Sequence, residues 1–262
     1  MSSFLGVYRD LFAYGQPVSP RGQKILELEN YQFTMEPYER LTTFEARGLN
    51  LQYCKAEFLW YLGGDRFDES IAEHAIMWKK LKDVDGGFNS QYGQYIFGDA
   101  QFHWVLDELR RDIDSRRAVM VLLQGDHLRE DNVDVVCTYG LGFRIRNNKL
   151  NMSVTMRSND AIFGMTNDVF CFSMIQEMVL ENLKRIYPDL EMGTYCHKVD
   201  SLHVYERHFE MLEILVTDGE RGIYNIDIPR ASSYLDFQFL QTSPGQPAPE
   251  NLPLAHWLTH NV

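Results

Sequence analysis

The sequence is short of positive charge: 25 lysines and arginines stand against 37 aspartates and glutamates, a formal net charge of −12 over 262 residues. A globally acidic chain is a poor non-specific binder of nucleic acid, because a phosphate backbone requires a positive footprint. A small anion can still be held where a few arginines converge. No apolar run approaches the ~20 residues that span a bilayer, so no membrane partner is expected. Residues 1–14 lack the basic, then apolar, then small pattern of a secretory signal, and a cytoplasmic location is the default expectation. Cysteine is scarce: Cys54, Cys137, Cys171 and Cys196, with no CxxC pair among them. That spacing disfavours a zinc ribbon or a redox dithiol, and no metal site is expected. The four are read as reduced thiols, most of them acting as small hydrophobes. There is also no internal repeat and no long linker. What is present is close to the globular average, with 45% hydrophobic and 24% charged residues. Such a chain can bury a sizeable core, and residues 1–262 are read as one domain.

Residues 51–62 (LQYCKAEFLWYL) show helical apolar spacing, and Gly63-Gly64-Asp65 stops them. Residues 69–81 read as a second helix, 83–87 (DVDGG) as a turn, and 101–112 as an amphipathic helix. Residues 118–123 (AVMVLL) suit a buried strand. Residues 137–145 and 150–156 read as two antiparallel strands joined by an Asn-Asn turn. Residues 169–186 form a long apolar-faced helix, 202–205 a short strand and 208–215 a further helix. The Pro- and Gly-rich stretch 241–251 reads as a loop running to the C-terminus. Strands and helices mix without regular βαβ alternation, so the fold class is α+β.

Several residues can carry chemistry. Asp114-Ser115-Arg116-Arg117 reads in isolation as a solvated charge pair; its functional reading is anion capture, since guanidinium forks match phosphate geometry. Arg157-Ser158, ending a strand, is either a capped turn or part of a phosphate site. Cys137 is a core thiol or a nucleophile. Glu57 lies between apolar neighbours, where a carboxylate needs a partner or carries a raised pKa. His203 and Tyr205 alternate along one strand and so share a face.

Together these segments resemble the thymidylate synthase family, in the family's order from about residue 21 to residue 208. The most specific part is Arg157-Ser158-Asn159-Asp160, then Phe163-Gly164, then Asn167-Asp168. The stretch from Glu57 to Asp65 (EFLWYLGGD) looks like the family's glutamate-bearing helix. Trp78, Tyr92-Gly93, the Arg116-Arg117 segment and Ser201-Leu202-His203-Val204-Tyr205 add support. The resemblance implies an α+β fold, a mixed β-sheet packed against helices, in a sheet-mediated homodimer. It implies that Cys137 adds to C6 of a pyrimidine nucleotide, and that Arg21, Arg157 and Ser158 hold the 5′-phosphate. Arg116 and Arg117 would reach the phosphate of the partner subunit. His203 and Tyr205 would hold the sugar 3′-hydroxyl, while Glu57 and Tyr92 organise water and proton transfer. Trp78, Asp160 and Gly164 would contact a folate, with Val262 closing over it; the cofactor implied is 5,10-methylenetetrahydrofolate.

The sequence also departs from thymidylate synthases. Pro-Cys-His becomes Val136-Cys137-Thr138, a glutamine becomes Met156, and a tryptophan becomes Leu81. At the base-reading position, four residues after Gly164, asparagine becomes Asp168, with Asn167 adjacent. This order resembles the deoxycytidylate hydroxymethylase branch. An amide answers the N3–H and O4 of uracil. A carboxylate accepts from a protonated N3 and the N4 amino group of cytosine, a charge-assisted pair. The expectation is therefore a dCMP 5-hydroxymethyltransferase with water as the final acceptor, Leu81 leaving room for it and nearby arginines favouring the Cys137 thiolate. In the family this activity serves bacteriophage DNA modification, in infected bacterial cytoplasm. The alternatives are a dCMP 5-methyltransferase using hydride, a CMP 5-hydroxymethylase, and a non-catalytic nucleotide-binding relative.

Overall fold

The computed structural model describes residues 3–260. Val262 lies outside the described residues. The helices are α1 (Ser3–Tyr14), α2 (Leu51–Gly63), α3 (Ile71–His74), α4 (Gln101–Arg111), α5 (Gly164–Leu183), α6 (Phe209–Asp218), α7 (Tyr234–Thr242) and α8 (Pro253–Thr259). The strands are β1 (Gln16–Val18), β2 (Ile25–Met35), β3 (Thr42–Phe44), β4 (Val119–Val121), β5 (Thr138–Arg146), β6 (Lys149–Asp160), β7 (Glu191–Tyr205) and β8 (Ile223–Asn225).

Six strands form one sheet in the order β1-β2-β7-β6-β5-β4, and β3 pairs with β8 in a two-stranded ribbon. Every pair in the large sheet is antiparallel except β6–β7, which is parallel. A parallel pair needs a crossover connection, and α5 supplies it. Most of α5 is buried, from Met165 to Leu183, so this helix is the centre of the core. It covers the sheet face built by Phe143, Met152, Val154, Met156, Tyr195 and Val199, all buried. The alternate residues Arg144, Lys198 and Asp200 face the other way and are exposed. This period of two is that of a sheet covered on one side.

The register brings functional positions to one end. Thr138 sits opposite Met156, Asp160 opposite His203, and Ile25 opposite Tyr205. The start of β5, the ends of β6 and β7, the turn before β2 and the first turn of α5 therefore meet. α2 packs against α5 there. Its ends follow from sequence: the Asn50 side chain accepts the Tyr53 N–H at 3.0 Å, and Gly64 closes the helix with φ 65°.

Three expectations need correction. Residues 69–81 are not one helix. α3 ends at His74, Ala75 is extended, and Ile76–Lys80 form a tight 3₁₀ turn. The break turns Trp78 inward against Trp60 and Phe88, with ring centroids 5.0 and 5.8 Å away, and leaves Ile76 and Met77 outside. Residues 202–205 are the end of the long β7, whose polar His197, Lys198 and Asp200 hide its alternation. The 241–251 loop does not run to the C-terminus but leads into α8. Pro253 opens that helix, and the buried Asp236 carboxylate accepts the N–H groups of Leu254 and Ala255 at 2.9 and 3.1 Å.

Gly93 ties the loop after Trp78 to α2. A Cβ there would lie 1.6 Å from the Tyr61 carbonyl oxygen, so the backbones could not keep this approach. Gly93→Ala is expected to cost about 2–3 kcal/mol or more in denaturant unfolding. A midpoint equal to the parent's would show that the approach is not required.

Candidate active site

Cys137 lies at the start of β5 and keeps some accessible surface, unlike the buried Cys54 and Cys171. Arg157 on β6 braces it. The Arg157 backbone N–H donates to the Cys137 carbonyl at 2.8 Å. Its guanidinium donates to the carbonyls of Val135 and Val136 at 2.5 and 3.1 Å, and Nη2 stands 3.4 Å from Sγ. The expectation that arginines favour the thiolate is corrected in the free chain. Burial pushes the Cys137 thiol above its ordinary value, and the charges of Arg157 and Arg21 offset only part of this. Arg21 is exposed, in the Pro20–Gly22 turn, with φ 52°. A left-handed arginine is costly, and such strain gathers at functional positions. Ser158 adjoins Arg157. His203 is buried, with Nδ1 3.3 Å from the Ser201 carbonyl and the Tyr205 ring edge-on at 4.9 Å. The structure brings Arg21, Cys137, Arg157, Ser158, His203 and Tyr205 together at one end of the sheet.

The loop that delivers Cys137 is itself anchored. Asp134 accepts from the Ser90 N–H and hydroxyl at 2.8 and 2.5 Å, and Arg129 pairs with Asp83 of the DVDGG turn. Thr138 donates to the Tyr92 hydroxyl at 3.1 Å. That contact gives the departure from Pro-Cys-His a role: Thr138 holds Tyr92, which is stacked between Tyr61 and Phe172.

Glu57 projects from α2 into a buried cluster. Its carboxylate accepts from the hydroxyls of Tyr53 at 2.9 Å and Tyr61 at 3.3 Å. Burial nonetheless lifts its pKa from 4.5 to about 7, the hydrogen bonds opposing. The Trp78 indole N–H donates to the Tyr53 hydroxyl at 3.1 Å, so Trp78 is linked to Glu57 through one side chain. Asp168, in the first turns of α5, is half-buried by surface, yet its carboxyl lies deep enough that burial holds its pKa well above the carboxylate range, with Glu57 adding repulsion. Asn159 donates to its Oδ2 at 2.7 Å, and His197 Nε2 lies 3.0 Å from the Asn159 amide oxygen. Gly164 opens α5 against this pair: a Cβ there would meet Asn159 Nδ2 at 3.2 Å and Asp168 Oδ2 at 3.8 Å. Asp160 uses one oxygen to cap the Ile162 N–H at 3.1 Å.

Arg116 and Arg117 are not in this cluster. They precede β4, which pairs Val119 with Gly142, while Cys137 lies at the other end of β5. Continuing that register puts Arg117 and Arg116 opposite residues 144 and 145, and at about 3.3 Å per residue their separation from Cys137 is roughly 23–26 Å. Both are exposed, and Arg117 rests 3.7 Å from Glu108 and over the Trp104 ring.

Sequence reasoning missed Tyr53, Tyr61, Thr138, His197, Arg47 and the role of Asn159. Tyr53 and Tyr61 were in principle legible, since both stand four residues from Glu57 on one helix. The others depend on strand pairing. Arg47 donates to the carbonyls of Ile162 and Phe163 at 2.5 and 3.1 Å and keeps a buried Nη1 without a partner.

Residues 2–243 match the family model described as thymidylate synthase. The deoxycytidylate 5-hydroxymethyltransferase of Enterobacteria phage T6 is 30% identical over 220 residues, covering 80% of this chain and 87% of that protein. The enzyme of the same name from Enterobacteria phage T4 is 30% identical over 223 residues, with the same coverage. The deoxyuridylate hydroxymethyltransferase of Bacillus phage SP01 is 27% identical over 256 residues, covering 90% of this chain and 65% of that protein. Among solved structures, the thermostable thymidylate synthase A from Bacillus subtilis superposes with a TM-score of 0.68 at 20% identity, covering 82% of this chain and 83% of that one. That likeness confirms the α+β architecture.

The Glu57 value has a consequence for stability. A carboxyl whose folded pKa is raised stabilises fully below its ordinary value, and the contribution is lost as pH rises through the folded value. Here the window runs from about pH 4.5 to above pH 7. Glu57→Gln, which keeps an acceptor for both tyrosines, is expected to gain about 3 kcal/mol more, relative to the parent, at pH 8 than at pH 4.5. Paired chemical melts at the two pH values measure this; a pH-independent difference would mean that Glu57 ionises freely.

Proposed function

The chain belongs to the thymidylate synthase family, and on that premise we propose that it is a deoxycytidylate 5-hydroxymethyltransferase. The observation that carries this reading is Asp168: a carboxyl, held by Asn159, at the position where the family reads the base. The phage relatives named for the same reaction support it.

The residues divide the work. Arg21, Arg157 and Ser158 bind the 5′-phosphate, and His203 with Tyr205 orients the sugar. Cys137 gives up its thiol proton to solvent and adds to C6 as the thiolate, and the electron pair of the C5–C6 double bond moves through the ring toward N3. Asp168, its pKa raised by burial, has a proton to give N3 as that charge arrives, and it then pairs as a carboxylate with N3–H and the N4 amino group. Glu57, titrating near neutrality, takes up and returns protons and orders water between Tyr53 and Tyr61. The Tyr92 oxygen accepts from Thr138, which leaves its own O–H free to donate into the site.

5,10-Methylenetetrahydrofolate, when bound, supplies the one-carbon unit. Trp78, Asp160 and Gly164 would hold it, with Val262. The orphaned buried Nη1 of Arg47, beside Phe163, fits the carboxylate-bearing tail of such a group. Leu81 in place of tryptophan leaves space for water to be the last acceptor.

The protein acts as a homodimer through the open sheet face. Arg116 and Arg117, too far from their own Cys137, serve the partner's phosphate, and the dimer is isologous. Among the described residues no helix is long and apolar enough to cross a membrane. The setting is the cytoplasm of a phage-infected bacterium, where the product marks phage DNA.

Purified protein given dCMP, CMP or dUMP with methylenetetrahydrofolate is expected to yield hydroxymethylated dCMP without dihydrofolate. Methylated product with dihydrofolate would make hydride the acceptor, and turnover of dUMP alone would overturn the role of Asp168. Asp168→Asn is expected to lower kcat/KM for dCMP by about 100-fold or more and to improve dUMP; an unchanged preference removes Asp168 from base reading. Dimers mixing an Arg116→Ala/Arg117→Ala chain with a Cys137→Ala chain should regain part of the activity that each variant lacks alone. No recovery would argue against sharing.

A further inference from the structure

We propose that Tyr195, His197 and Asn159 form a one-directional hydrogen-bond relay that orients Asp168, and that these three are positioning residues for pyrimidine discrimination. The inference rests on the reading of Asp168 as the base-facing group.

The relay has three links. The Tyr195 hydroxyl lies 2.9 Å from His197 Nδ1, His197 Nε2 lies 3.0 Å from Asn159 Oδ1, and Asn159 Nδ2 lies 2.7 Å from Asp168 Oδ2. Tyr195, His197 and Asn159 are all buried. The imidazole is wedged between aromatic rings, with Tyr195 at 5.8 Å and Phe33 at 5.2 Å, and burial drives its pKa down to about 3. It is neutral, with one donor and one acceptor nitrogen.

Two directions satisfy the central links. In the first, Tyr195 O–H donates to Nδ1, Nε2–H donates to the Asn159 oxygen, and the Asn159 amide N–H donates to Asp168. In the reverse, Asp168 donates its proton to Asn159, and Nδ1–H points at the Tyr195 oxygen. The reverse strands the Tyr195 hydroxyl proton, because among the described residues that hydroxyl meets no other polar group within hydrogen-bond distance. A buried donor left without an acceptor loses its hydration with nothing in return, and this selects the first direction.

That direction makes Oδ2 of Asp168 the acceptor, and places any proton on Oδ1, the oxygen left for the base. Cytosine N3 accepts such a proton. Uracil brings an N3–H donor against it, and its O4 faces a carboxylate when Asp168 is ionised. Of the groups packed on Asp168, Glu57 of α2 and Asp160 of β6 disfavour its charge, and Asn159 favours it. The neutral neighbours are Tyr61, Tyr92, Tyr195, Cys137 and Cys171.

Nitrogen-15 NMR of labelled full-length protein tests the direction without any substrate. His197 is expected as the neutral Nε2–H form from pH 6 to pH 9. The Nδ1–H form, or protonation in that range, would overturn the relay. Its role in discrimination is read from Tyr195→Phe, which deletes one hydroxyl, and Asn159→Ala. Asn159→Ala is expected to lower the dCMP-to-dUMP ratio of kcat/KM by about tenfold or more and to move the alkaline limb of the dCMP pH profile upward, since Asp168 acts with its proton on and loses the hydrogen bond that favours its charge. Tyr195→Phe should do the same to a smaller extent. Equal losses on both nucleotides with an unchanged profile would mean a merely structural role. A parent enzyme that does not prefer dCMP sinks the proposed function, while the His197 tautomer still decides the relay.

Discussion

One parallel pair in an otherwise antiparallel sheet organises this molecule. β6 and β7 run side by side, so the chain must cross from the end of one to the start of the other, and α5 is that crossing. The helix begins where β6 ends. Its first turns therefore place Gly164 and Asp168 directly beyond Arg157, Ser158 and Asp160, while β7 returns His197 and His203 to the same corner. An antiparallel pairing of β6 with β7 would need only a short turn, and Asp168 would have no helix on which to face Asn159. The sequence spacing that looked like a linear motif is the edge of a crossover.

Desolvation is the common influence on the groups gathered there. It raises Glu57, Asp168 and Cys137 together, and in each case burial is the largest cause. The hydrogen bonds from Tyr53, Tyr61 and Asn159 and the charges of Arg157 and Arg21 pull the other way without prevailing. The site thus stores protons near neutrality that ordinary carboxyls would have lost, at some expense in stability. It is a pattern found where a protein must move protons rather than hold charges.

Much of the fold was legible where local chemistry decides the outcome. The Asn147-Asn148 turn has φ values of 51° and 58°, as two asparagines between antiparallel strands imply, and Gly64 ends α2 as expected. The failures were tertiary. Trp78 breaks an apparently regular helix because its ring is worth more against Trp60 and Phe88 than a continued helix would be. β7 looked short because a histidine inside a core does not read as apolar. α8 was invisible because its cap, Asp236, comes from another helix. The site divides in the same way. Cys137, Glu57, Arg157 and Asp168 were visible as motif residues, whereas the Asn159–His197 contact joins residues 38 apart in sequence through a buried ring.

Charge balance connects the acidic chain to its proposed substrate. A nucleoside monophosphate brings about two negative charges at neutral pH. Within one chain the corner offers Arg21 and Arg157, and two ionised carboxylates beside them would cancel that attraction. Holding back the ionisation of Glu57 and Asp168 by burial leaves the corner less negative than two free carboxylates would make it, in a molecule whose net charge is −12. Arg157 is also partly committed, since its guanidinium already serves the carbonyls of Val135 and Val136. A dianion therefore calls for further cations, and within this chain Arg116 and Arg117 sit at the wrong end of β5 to provide them. Only a second copy, packed on the open sheet face, would turn those two arginines from surface charges into part of the phosphate site.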